Sequence, residues 1–403
     1  MPRVESKNCY GCAACSLICP VNAIQMVENA EKFFVIQIDE SKCINCGKCL
    51  QVCPLKFNHK NQVLTSYAGY STDGSILKQS SSGGMFGSFA KYLFNSNTNV
   101  KVFAVKNDLG KVVYEICTDY RDLEQFYKSK YCQAFLNKAF YERLISAILN
   151  EAVCLIIGTT PCVLSGIKNT LLAQKAKLTS CIFVDLVCHG VMSQSVYHTH
   201  LEECKKRWGG VVTQHYFRYK RAVTKDCPEG SRWNLYKVNN EIIIKKSDDD
   251  YYMQTYFADL AMRETCYCCQ FTGTNRIGDI TIGDFNNAHI LCSQFDGLRS
   301  VSLVLVNTDK GQRFIDECNN NTVNLQPVDI KLLQKFNTPL TAPIKRPFQR
   351  SLFYTFYNSL GLSRTVSLLN YKYYLRKIIV AFGGKKLLLK IKALLGRSYI
   401  DIE

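Results

Sequence analysis

Apolar and polar positions follow one pattern up to about residue 57 and another after it. In the first stretch short apolar groups sit between closely spaced cysteines, and Phe33-Phe34-Val35-Ile36-Gln37-Ile38 reads as a strand. Lys56 to Thr65 is a polar connector. Beyond it, strand-like apolar runs occur at Val100 to Val105, Val153 to Ile157, Cys181 to Val187, Ile277 to Ile282 and Val301 to Val306. They alternate with helix-like stretches at Gly84 to Phe94, Ala139 to Asn150, Gly166 to Lys177 and Ser195 to Trp208. That alternation predicts an α/β body. Near the end, Tyr371, Tyr374, Leu375, Ile378 and Phe382 line one helical face, and Lys385 to Arg397 again mixes Leu and Ile with Lys. No apolar run approaches the roughly 18 residues of a membrane span.

Composition narrows the picture. The chain has 403 residues, 47% of them hydrophobic and 21% charged, enough for two or three compact units with ample core. A disordered, collagenous or small disulfide-stapled protein is excluded. The residues before Cys9 contain no apolar signal segment, so a cytoplasmic address is expected. There are 21 cysteines, and in a reducing compartment clustered thiols point to metal or redox chemistry rather than disulfides.

Eight of them form a repeat. Cys9, Cys12, Cys15 and Cys19, followed by Pro20, have the spacing C-x-x-C-x-x-C-x-x-x-C-P, and Cys43, Cys46, Cys49 and Cys53, followed by Pro54, repeat it 34 positions later. Three thiolates so spaced wrap one iron–sulfur cubane, while the fourth, turned away by its proline, reaches the cluster of the other half. One [4Fe-4S] cluster is therefore assigned to Cys9, Cys12, Cys15 and Cys53, and the other to Cys43, Cys46, Cys49 and Cys19. Tetrahedral zinc, the rival reading, favours paired C-x-x-C knuckles instead. The segment resembles bacterial dicluster ferredoxins.

In the body no G-x-G-x-x-G fingerprint supports a standard dinucleotide site. Other candidates lie at predicted strand ends, where open α/β sheets place ligands. Ser80-Ser81-Ser82-Gly83-Gly84 opens a helix and offers backbone N–H groups to a phosphate, or is an ordinary helix cap. Thr160-Pro161-Cys162 and Cys188-His189-Gly190 each follow a strand, and Cys266-Tyr267-Cys268-Cys269 precedes Gly283-Asp284-Phe285. His189 is a candidate proton donor; no carboxylate near it in sequence marks a partner, which favours a His bonded to a neighbouring loop. His198 and His200 read as surface or packing residues. Cys117, Cys132, Cys154, Cys181, Cys204, Cys227, Cys268, Cys292 and Cys318 read as core thiols.

In order, these motifs resemble the coenzyme F-420 hydrogenase/dehydrogenase beta-subunit family. The resemblance is carried by Ser81-Ser82-Gly83-Gly84, Ser129-Lys130-Tyr131-Cys132-Gln133, Thr160-Pro161-Cys162, Val187-Cys188-His189-Gly190-Val191, Phe217-Arg218 with Trp233, Arg263 to Phe271, and Asp279 to Phe285. It implies a flavoprotein with a further [4Fe-4S] cluster beside FAD. Carried over position by position, Cys162, Cys188, Cys266 and Cys269 would hold that cluster, with Cys268 a substitute for its neighbour, and Ser82, Gly83, Gly84, Lys130 and Asp284 would hold the flavin. This sequence departs from the family at Thr159, Val163 and Asn286-Asn287. The family also includes members near cell-surface polysaccharide genes.

The expected architecture is an α+β ferredoxin-like dicluster domain (1–60), an α/β flavin and iron–sulfur domain (66–340) and a helical basic C-terminal tail (345–403). The expected function is an oxidoreductase relaying electrons between clusters and FAD to a two-electron substrate, with a redox partner protein or reduced coenzyme at one end. The rival is a flavin-free electron-transfer or accessory module. The net charge of +17 would suit nucleic acid, but no binding module accompanies it, so none is expected as partner. Twelve of the basic residues fall in 345–403, which suggests contact with an anionic membrane surface on the inner face, or helices packed on the protein's own core. Homo-oligomers are a further expectation.

Overall fold

The computed structural model describes residues 4–108, 110–220, 232–285, 288, 292, 295, 300–319 and 321–370. The amphipathic segments from Tyr371 onward, Cys227 and Asn286-Asn287 lie outside the described residues.

The first unit comprises α1 (Ala14–Ile18), β1 (Ile24–Glu28), β2 (Phe34–Ile38) and α2 (Lys48–Gln51), with β1 and β2 an antiparallel pair. The 34-residue repeat extends to the backbone. Gly11 and Asn45 have positive φ (74° and 54°), as do Ala13 and Gly47 (57° and 72°), so both cysteine loops wind the same way before entering their helix. Such left-handed turns fold the thiols inward around a common space.

The body follows as β3 (Thr65–Ser71), α3 (Gly74–Gln79), α4 (Met85–Ser96), β4 (Val100–Asp108), β5 (Lys111–Cys117), α5 (Lys138–Leu149), β6 (Val153–Thr159), α6 (Pro161–Ala173), β7 (Cys181–Leu186) and α7 (Gln194–Trp208). Then come β8 (Val212–Tyr219), β9 (Trp233–Val238), β10 (Glu241–Lys246), α8 (Tyr251–Phe257), β11 (Ile280–Asp284), β12 (Ser302–Val306), α9 (Asp309–Cys318), β13 (Val323–Pro327), α10 (Ile330–Phe336), α11 (Gln349–Leu360) and α12 (Leu362–Leu369). Eight strands form one sheet in the order β13-β3-β12-β11-β7-β6-β4-β5. Its centre, β4, β6, β7 and β11, is parallel and its margins are antiparallel. Along β6, Leu155 and Ile157 face α4 and α9, while Ile156 faces α5, α6 and the first unit, so the sheet is buried on both sides. β8, β9 and β10 make a separate antiparallel sheet.

Two elements differ from expectation in a way that matters for the site. Strand β11 begins at Ile280 rather than Ile277, because Asp185 of β7 accepts the N–H groups of Ile277 and Gly278 and pairs with the buried Arg276, which fixes the approach as a loop. Helix α6 begins at Pro161 rather than Gly166, since proline's fixed φ suits the first helical position. Cys162 therefore sits in the first turn of a helix directly behind a strand.

The dicluster unit shares its core with the body rather than hanging from it. Tyr10, Cys12, Ala14, Ile24, Ile36 and Val52 join Tyr141, Leu164, Ile167 and Phe271 in one apolar cluster. Tyr141 donates to the Cys12 carbonyl at 2.7 Å, Asn169 to Phe57 at 2.7 Å and Gln270 to Pro54 at 2.8 Å. Arg350 of α11 grips Glu31 of the β1–β2 turn with two bonds of 2.8 and 2.6 Å. The stretch from 345 to 369 likewise belongs to the body: Phe353, Tyr357, Leu362 and Val366 are buried against Tyr197, Tyr252 and Met262. Among the described residues no helix is long and apolar enough to cross a membrane.

Candidate functional site

The repeated cysteines gather in two places. Cys12 and Cys15 are buried, Cys9 and Cys53 half-buried. Burial first, and then the neighbouring thiolates, pushes the Cys12 and Cys15 thiols well above their ordinary range; Cys9 and Cys53 act on both. The second set rings a small cavity of about 30 Å³, where Cys19 stands with Cys43, Cys46 and Cys49. Among the described residues no group of three or more His, Cys, Asp or Glu side chains is arranged to hold a single metal ion. Zinc draws its ligands to about 2.3 Å of one point, whereas a cubane takes each thiolate at a separate iron, so its ligands surround a space. Amide donors already point at sulfur: Gly11 N to Cys9 Sγ at 3.2 Å and Ala23 N to Cys19 Sγ at 3.3 Å. Such bonds favour the thiolate and tune the potential of what it binds.

A larger cavity of about 320 Å³ opens at the carboxyl ends of β6, β7 and β11. Cys162, Cys188, Cys266 and Cys269 all line it, as do His189, Ser82, Gly84, Lys130 and Asp284. Its four thiols are unfavourable as bare thiolates. Burial, and then Cys269 and Cys266, pushes Cys162 up to about 12, with Arg263 opposing; Cys266 is pushed up to about 11, again chiefly by burial. Cys188 is raised by burial and by the other three. A cationic centre that neutralises these sulfurs is the chemistry the donor set fits.

The flavin candidates divide. Ser82, Gly84 and Asp284 face the cavity. Gly83 does not: a Cβ there would meet the Gly69 carbonyl at 2.5 Å and the Ser302 nitrogen at 2.6 Å, so it is the close crossing of this loop over β3 and β12. Gly84 (φ 89°) caps α4 with no side-chain bond, leaving the helix's first N–H groups to the loop and cavity. Lys130 lines the cavity, but its Nζ donates to the carbonyls of Phe126 and Tyr127. Lys220, which no motif marks, does not line the cavity but ties down the loop that does, donating to Leu77 at 2.6 Å and Ser82 at 2.7 Å. Burial pushes both lysines down to about 7.

His189 has a carboxylate after all. Its Nε2 lies 2.7 Å from Asp259 Oδ1, 70 residues along the chain, a separation at which no sequence signal could have paired them. Of the other histidines, His198 is exposed and His200 is buried, bonded to Tyr236 at 2.8 Å. Cys117, Cys132, Cys154, Cys181, Cys204 and Cys318 are buried core thiols, but Cys268 is exposed and Cys292 half-buried.

Two family models match the body, both for the coenzyme F420 hydrogenase/dehydrogenase beta subunit: the model of its N-terminal part over residues 66–140 and the model of its C terminus over residues 154–331. The chain belongs to this beta-subunit family. Residues 8–57 match a 4Fe-4S dicluster domain, so this family member carries iron–sulfur clusters ahead of the two family segments and is an electron-transfer protein of oxidoreductase type. Among solved structures, a chain of the F420-reducing [NiFe] hydrogenase complex from Methanosarcina barkeri is similar at 14% identity, over 70% of this chain and 89% of that one, with a TM-score of 0.49. No curated protein sequence matches.

Two further cavity residues of this F420 beta-subunit relative lie inside the family motifs, where the sequence alone gave them no role. Arg218 pairs with Asp284 at the end of β11, and Arg263 reaches from the cavity into the dicluster unit. Tyr10, the residue after Cys9, also lines the cavity, packed edge-on against Phe271 at 5.4 Å.

Proposed function

We propose that this chain is an iron–sulfur flavoprotein oxidoreductase, with a third [4Fe-4S] centre on Cys162, Cys188, Cys266 and Cys269 and FAD in the same cavity. The observation that carries the reading is that four thiols, two at the exits of β6 and β7 and two from the connection between α8 and β11, share one cavity with the Gly84 turn and the Arg218–Asp284 pair. A flavin supplies the junction between one-electron centres and a two-electron substrate.

The chain's own residues divide the remaining work. Ser81, Ser82 and Gly84 present small side chains and backbone at the start of α4, where a diphosphate is favoured. Lys130 and Lys220, held near neutrality, take up protons as an anion approaches. Asp259 accepts from His189 Nε2, which leaves Nδ1 as the ring nitrogen that would exchange a proton. The thiol sets also stand in order. A Cβ at Gly166 of α6 would lie 2.6 Å from Cys12 Sγ, which places the Cys9, Cys12, Cys15 and Cys53 set against the helix that carries Cys162. The set with Cys43 and the exposed Cys46 faces outward, with Ile44 61% exposed beside it, the side at which a redox partner protein would meet the chain.

Replacing Cys188 by Ala tests this. Iron is expected to fall by about four per chain while the spectra of the N-terminal clusters persist. Unchanged iron in that variant would overturn the third centre.

A further inference from the structure

Arg263 is 4% exposed, and among the described residues no carboxylate pairs with it. Its neighbour Glu264 is taken by Arg346 and Arg350. One terminal nitrogen of Arg263 donates to the Cys9 carbonyl, the other to the Phe34 carbonyl at 2.7 Å, and Nε is buried with no partner. The guanidinium lies 5.0 Å from the centre of the Phe33 ring. On its other side it borders the cavity of Cys162 and Cys266, whose thiolates it favours.

A guanidinium stays charged in any protein environment, and a buried charge is sustained only by a compensating one. Neutral carbonyls and a ring face supply part of that, not a counter-charge. What stands on either side is cysteine sulfur that becomes thiolate when a cluster is bound: the Cys9 loop on one side, the Cys162 and Cys266 set on the other. An oxidised cubane with four thiolate ligands carries a formal charge of about −2, and reduction makes it more negative. A fixed cation alongside therefore stabilises the reduced state more than the oxidised one.

We infer that Arg263 is a positioning residue that sets electron affinity at the junction: it is the counter-ion shared by the Cys9, Cys12, Cys15 and Cys53 cluster and the third centre, and it raises the reduction potential of both. The inference rests on the functional reading above for the third centre only. Among the described residues no contact joins Arg263 to Cys19, Cys43, Cys46 or Cys49, so the outward cluster on those four is the internal control.

The test is an anaerobic, EPR-monitored redox titration of the whole cluster-loaded protein, wild type against Arg263→Gln and Arg263→Lys, with iron and sulfide measured on each. Arg263→Gln is expected to lower the potential of the Cys9-side cluster and of the third centre and leave the outward cluster in place; Arg263→Lys, which keeps the charge, is expected to retain most of the wild-type values. Equal potentials in wild type and Arg263→Gln at equal iron content would overturn the inference, and so would a uniform shift of all clusters. Loss of iron from both variants with the fold retained would also overturn it, making Arg263 a strut that holds the loop. If the wild type itself holds only about eight irons, the third centre fails, while the shift of the Cys9-side cluster still decides the role of Arg263.

Discussion

Gly166 lies inside α6, where glycine is ordinarily a liability: replacing it by Ala in a helix interior gains about 1 kcal/mol from backbone entropy alone. Here the added methyl would stand 2.6 Å from Cys12 Sγ and 2.9 Å from Cys12 Cβ, closer than carbon and sulfur approach without displacement. Overpacking a buried site costs about 1–3 kcal/mol. Which effect wins depends on whether the sulfur can move. In metal-free protein the Cys12 side chain is free to change rotamer, so the two effects roughly cancel and Gly166→Ala unfolds within about 1 kcal/mol of wild type. With iron bound the sulfur is fixed, the cost stands, and the variant reconstitutes with about four irons fewer or loses them first on dilution into chelator. The assay is denaturant unfolding of apo protein beside iron and sulfide counts after anaerobic reconstitution. A variant that is about 1 kcal/mol more stable and keeps its full iron complement would refute the close packing of α6 on the Cys12 cluster.

Further outcomes follow from the same contacts. If Cys53 completes the cluster of the first loop, Cys15→Ala with Cys53→Ala removes about four irons in all, whereas Cys15→Ala with Cys19→Ala removes about eight; the reverse ranking, read by iron analysis, would mean that each loop closes its own cluster. Arg350→Met strips Glu31 of its buried partner and is expected to cost about 2–3 kcal/mol in chemical denaturation, less than for a fully buried pair because Glu31 keeps some water. Glu31→Gln, which leaves Arg350 paired with Glu264, is expected to cost about 1 kcal/mol. Lys130 and Lys220 give flavin binding a pH signature. Below about 7 both are charged with or without ligand; above it, FAD binding to flavin-free protein draws in protons and its affinity falls as pH rises towards 10. Calorimetry in two buffers of different ionisation enthalpy reads that uptake, and zero uptake at pH 8.5 would remove these lysines from the anion site.

The cysteine repeat was legible because its information is local: thiol spacing fixes which loop wraps what, and the chain shows the same φ pattern in both copies. The parallel strands were legible for a related reason, since a strand buried on both faces leaves a continuous apolar run, as at Cys154 to Ile157. The small sheet of β8 to β10 was missed; its strands carry Gln214, Lys237 and Lys245 among their apolar residues, and β8 and β10 are partly exposed around a largely buried β9. α11 and α12 fall in the stretch from 345 read as a basic tail, for which lipid and the protein's own core were both open because an amphipathic face looks the same in sequence for either; Phe353 and Val366 meet the core. Asp259 and Lys220 act through tertiary contacts 70 and 138 residues away, and no periodicity encodes such pairs.

The central claim is that the large cavity at the ends of β6, β7 and β11 holds redox groups beyond the dicluster unit. Iron, acid-labile sulfide and flavin counted per chain on protein purified without oxygen test it most directly. About twelve irons with one FAD is the expected result, and about eight irons with no flavin, even after reconstitution with both, would contradict it.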